Sequence, residues 1–105
     1  MRFFQVKVTN EYKTILDRMY INVYNYASLA EAMKTIRLCE NKDALDGYTF
    51  TDNLSGRKVV QYHLSYEENG GAVIELRQEF FGIPEDCSAE QVVSTKSVYL
   101  HEIVL

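Results

Sequence analysis

The stretch Ala27-Ser28-Leu29-Ala30-Glu31-Ala32-Met33-Lys34-Thr35-Ile36-Arg37-Leu38-Cys39-Glu40 is the one segment of the chain with a sustained helical period. Leu29, Ala32, Met33, Ile36 and Cys39 recur every three or four residues and fall on one face. Ser28 is a good N-cap, and Glu31 stands three residues later, where a capping box places its acidic partner. The pattern predicts a helix over about 29–41, fading near Asn41, with Asp43 to Gly47 as the exit turn. Leu38 points away from the apolar stripe.

Outward from the helix, the chain alternates. In Arg2 to Thr9, Phe4, Val6 and Val8 oppose Phe3, Gln5, Lys7 and Thr9, the pattern of a half-buried strand. Residues 10–18 fit either a short helix or a strand. Met19 to Tyr24 is strand and forms a hairpin with the first. After the helix, Tyr48 to Thr51 precedes a turn at Asp52-Asn53-Leu54-Ser55-Gly56. Arg57 to Tyr66 and Ala72 to Glu79 form a hairpin around Asn69-Gly70. Even-numbered residues carry the apolar face of both strands. A three-residue loop, Glu68 to Gly70, satisfies that parity and sets His63 opposite Glu75 and Gln61 opposite Arg77. Pro84 ends the strand, Ser88 is a candidate cap for a helical turn within 85–91, and Val92 to Leu105 is the last strand. Neither face of that strand is polar, so it should be well covered or paired with another subunit.

These elements predict an α+β fold: a mostly antiparallel sheet of five to six strands, in sequence order β-β-α-β-β-β-β, with one helix on one face. The 105 residues suit a single domain, 1–105. The chain is 47% hydrophobic and 25% charged, which is ordinary for a globular protein. No run is long and apolar enough to span a bilayer, and the start lacks the apolar core of a signal peptide. The expected location is cytoplasmic, with Cys39 and Cys87 as free thiols.

A sheet of that width spans about 25 Å while one helix covers about 10 Å, so one face is left open. Its expected members are Phe3, Gln5, Lys7, Tyr20, Tyr24, Gln61, His63, Glu75, Arg77, Phe81, Tyr99 and His101. With eight tyrosines and no tryptophan, such a face suits protein contact, since tyrosine offers area and one hydrogen bond at small entropic cost. Phe3, Tyr20, Tyr24, His63, Glu75, Arg77, Tyr99 and His101 are the candidate binding residues.

Other chemistries have less to stand on. A His63–Glu75 acid–base pair is the one enzymatic candidate. Cys87 stands among acids, which disfavour a thiolate. The histidines and cysteines lack metal-ligand spacing, no glycine-rich phosphate loop occurs, and no cofactor is implied. A nucleic-acid partner needs clustered bases, and the formal net charge is −4. The acids are uneven: residues 1–66 carry nine bases and seven acids, whereas residues 67–105 carry two bases and eight acids. Two readings follow. One is a non-enzymatic protein-interaction module, in one form a homodimer, binding through the open face or the C-terminal strand. The alternative is a small acidic decoy of the kind phages and mobile elements encode. It would block a nucleic-acid-processing or defence enzyme with acids that include Glu85, Asp86 and Glu90.

Overall fold

The computed structural model describes residues 1–13, 18–44, 46–84 and 87–105. They form β1 (Arg2–Tyr12), β2 (Arg18–Tyr26), α1 (Leu29–Cys39), β3 (Thr49–Thr51), β4 (Lys58–Glu68), β5 (Gly71–Gly82) and β6 (Gln91–Val104). All six strands join one antiparallel sheet in the order β2-β1-β6-β5-β4-β3. A small α+β fold with a single long helix is therefore what these residues make. The stretch 10–18 is strand on both sides of residues 14–17, which lie outside the described residues. The helical turn expected within 85–91 lies partly outside them too, and residues 87–90 are not helical.

Helix α1 starts where its cap dictates. The Ser28 hydroxyl accepts a hydrogen bond from the Glu31 backbone N–H at 3.2 Å. Ala32 and Ile36 are fully covered, Met33 and Cys39 partly so, while Leu29 at the start of the stripe is half-exposed. Leu38 is exposed, as its position off the stripe requires. The helix packs over β6, β1 and β2. Its core partners are Phe4 and Val6 of β1, Leu76 of β5, and Val98 and Leu100 of β6. Burying each such aliphatic side chain contributes roughly 1.5–3 kcal/mol. The Tyr26 hydroxyl, 2.9 Å from that of Thr35, ties β2 to the helix.

The helix C-terminus is held by two buried glutamines. Gln61 of β4 forms a paired amide contact with Asn41: Asn41 N–H donates to Oε1 at 2.8 Å, and Nε2 donates to the Asn41 carbonyl at 3.0 Å. Gln78 of β5 donates to the Cys39 carbonyl at 3.0 Å and to Gln61 Oε1 at 2.8 Å. The last carbonyls of a helix lack partners within it, and these side chains supply them from the sheet.

The β4–β5 hairpin departs from the expected register. Its loop has two residues, Asn69 (φ 53°) and Gly70 (φ 80°), with Glu68 paired to Gly71. Left-handed backbone at both positions is the type I′ turn, whose twist matches that of the flanking strands. Leu64 therefore stands opposite Glu75, and His63 opposite Leu76. A one-residue slip moves a strand's side chains to the other face. Val59, Gln61, His63 and Ser65 thus turn toward the helix side, and Val60, Tyr62, Leu64 and Tyr66 toward the open face.

Candidate functional site

The ladders fix which residues share the open face. Phe3, Gln5 and Lys7 of β1, Glu75, Arg77 and Phe81 of β5, and Tyr99 and His101 of β6 stand there, as expected. Gln61 and His63 do not, because of the hairpin register. Tyr20 and Tyr24 do not either: β2 pairs with β1 as Val6↔Tyr24 and Asn10↔Tyr20, which puts both tyrosines on the helix side. The residues that β2 gives to the open face are Met19, Ile21, Val23 and Asn25. Of the eight candidate binding residues, Phe3, Glu75, Arg77, Tyr99 and His101 thus lie on one face, and Tyr20, Tyr24 and His63 on the other.

The centre of the open face is a polar cluster around Glu75. This carboxylate is 2% exposed although it stands on the uncovered side of the sheet. Leu64 and Tyr99 flank it on the neighbouring strands. Arg77 Nε donates to one carboxylate oxygen at 2.9 Å, and the Tyr66 hydroxyl donates to the other at 3.2 Å. Burial, then the adjacent negative charge of Glu75 and the hydrogen bond to it, push the Tyr66 phenol up to about 12. The hydrogen bond to Glu75 also raises Arg77. Beside the cluster, Lys7 Nζ lies 5.2 Å from the centre of the Tyr99 ring, a cation–π contact. A shallow hollow of about 220 Å³ opens here, lined by Gln5, Lys7, Tyr66, Glu68, Val73, Tyr99 and His101.

His63 and Glu75 are on opposite faces, so the acid–base pair does not exist. His63 instead sits between two carboxylates on the helix side: Nε2 is 3.1 Å from Glu40 Oε2, and Nδ1 is 3.8 Å from Asp46 Oδ1. The backbone N–H of His63 also donates to Asp46. Those contacts tie the segment after α1 to β4. Among the described residues no group of three or more His, Cys, Asp or Glu is placed to hold a metal ion. No helix among them is long and apolar enough to cross a membrane.

Among the described residues, three acids of the C-terminal third are paired with bases of the chain. Glu75 is bonded to Arg77, Glu90 to Lys58, and Glu102 to Arg2 at 3.0 Å. Glu75 and Glu79 belong to the open face and Glu102 to the helix side. Glu85 and Asp86 lie outside the described residues.

From Ser94 to His101 the C-terminal strand is paired on both sides, with β1 and with β5. The outermost strands of the sheet are β2 and β3, and β4 is itself an edge where it runs past β3. Strand β3 has only three residues. Strand β2 has nine, all pairing with β1 without a register shift. Met19, Tyr20, Ile21, Val23 and Tyr24 are 56, 52, 53, 50 and 47% exposed. From Met19 to Tyr26 the strand has no charge and no proline. Charges, prolines and bulges are the usual devices that keep an edge from pairing with another chain. Both faces of β2 carry apolar side chains, so alternation alone could not assign them. No family model matches the chain, and no curated protein or solved structure matches it significantly.

Proposed function

We propose that this chain is a small non-enzymatic protein-interaction module whose contact surface is the β2 edge. The observation that carries the reading is a nine-residue unpaired edge presenting five large apolar or aromatic side chains, each about half-exposed. Such an edge offers a row of free backbone N–H and C=O groups, and strand addition uses them for affinity while alternate side chains give specificity.

Replacing Tyr24 with the photo-reactive p-benzoylphenylalanine tests the reading in native lysate. Irradiation should give discrete protein adducts from position 24 and none from the same probe at Leu54, a 99% exposed residue of the β3–β4 loop. The same bands from both positions, or none from position 24, would overturn it.

A further inference from the structure

We propose that β2 pairs with β2 of a second copy of this chain, antiparallel about a two-fold axis at Asn22, joining two sheets into one. The proposal rests on β2 being the contact surface and names its occupant. The reason is in the strand itself. Asn22 is the midpoint of Arg18–Tyr26, and the sequence about it reads nearly the same in both directions: Tyr20-Ile21-Asn22-Val23-Tyr24.

Residues opposite each other in a continuous sheet share a face, so the partners' numbers must sum to an even value. Centring on Asn22 is the only such symmetric register that pairs all nine residues. Tyr20 then meets Tyr24 of the second copy, and Ile21 meets its Val23. Aromatic and β-branched partners of this kind are the favourable cross-strand pairs. Asn22 meets itself. The lone charge of the strand, Arg18, lies at its end opposite Tyr26 of the second copy, so like charges do not face each other.

The symmetry closes. An axis perpendicular to the sheet keeps both α1 helices on one side. Each β2 edge is used up by the other copy's, so this contact closes at two, and the far side of each sheet ends in the three-residue β3 and the outer edge of β4 beyond it. The formal charge of −4 per copy repels weakly, because exposed charges are screened beyond about 8 Å at physiological salt.

Sedimentation equilibrium of the intact chain should give twice its 12.2 kDa mass. Ile21→Lys with Val23→Lys puts lysine opposite lysine in this register and should weaken association at least about tenfold. The matching pair of glutamates, Ile21→Glu with Val23→Glu, should do the same, and mixing the two variants should restore a heterodimer. Circular dichroism checks that each variant remains folded. A second measurement does not depend on them: Asn22→Cys in a Cys87→Ser background should form an interchain disulfide that the Cys87→Ser parent does not. A monomer at every concentration, a dimer indifferent to both charged variants, or no disulfide at position 22 would overturn the proposal. If the chain is monomeric while the probe at Tyr24 still captures another protein, the second copy is refuted and the interaction reading stands. If neither occurs, both fall.

Discussion

Tyr66 and Glu75 sit diagonally across the β4–β5 ladder, and the phenolic hydroxyl donates to the buried carboxylate at 3.2 Å. Burial disfavours the phenolate, and ionising it would also place two negative charges side by side, so its pKa is pushed from 10.0 up to about 12. A folded-state pKa above the unfolded one stabilises the fold fully below pH 10, and that contribution is lost as pH rises from 10 through 12. Ultraviolet titration should show a phenolate that forms only near the upper end of that window, and Tyr66→Phe should delete it. A titration unchanged by the substitution would contradict the contact.

The glutamine clamp makes a stability prediction. Gln61→Ala strips the Asn41 backbone N–H of its partner, leaves the Asn41 carbonyl with the Ala44 N–H alone, and leaves Gln78 with one contact fewer. Leaving a buried polar group unpaired costs about 1–3 kcal/mol. Urea denaturation of Gln61→Ala should show a loss of at least that order. A change below about 0.5 kcal/mol, typical of surface sites, would mean that the clamp does not hold the helix end.

The hairpin is testable by backbone chemistry alone. Gly70 has φ 80°, and open space surrounds the position where a Cβ would go. Gly70→Ala therefore reports conformational strain without a clash, and should cost about 1–2 kcal/mol. Asn69→Gly, at φ 53°, should be tolerated. Equal tolerance of both substitutions, read from the same denaturation curves, would argue against the two-residue turn.

Arg77 is the guanidinium partner of a carboxylate that is 2% exposed. Removing one partner of a buried pair strands the other, but Arg77 itself is 41% exposed, so water moderates the cost. Arg77→Met should destabilise the chain, and Arg77→Met with Glu75→Leu should recover part of the loss. A double variant no better than Arg77→Met alone would show that the pair is not coupled.

Much of this fold is legible in the sequence because its signals are local. Ser28, the apolar stripe of α1 and the alternation of Phe4, Val6 and Val8 each specify their own element and face. The β4–β5 register was not legible from alternation. The even residues Val60, Tyr62, Leu64 and Tyr66 look like a core face. Val59 and Gln61 are nevertheless the fully buried residues of this strand, and the Gln61 amide is used at the end of a helix some twenty residues away in sequence. Asn69-Gly70 marks the turn but not whether the loop has two residues or three, and that single residue separates His63 from Glu75. The edge position of β2 depends on β6 returning to pair with β1, a contact spanning nearly the whole chain. Nothing near Met19 to Tyr26 encodes it.

Amide hydrogen exchange on β2, followed as a function of protein concentration, tests the use of this edge most directly. Within an isolated sheet, alternate amides of an edge strand point outward with no partner, while those of an interior stretch such as Ser94–His101 of β6 are flanked by partners on both sides. Pairing through β2 predicts that the whole of Arg18–Tyr26 is protected in concentrated solution, and that dilution exposes alternate residues while β6 stays protected. Alternate β2 amides exchanging freely at every concentration would contradict pairing with a second copy.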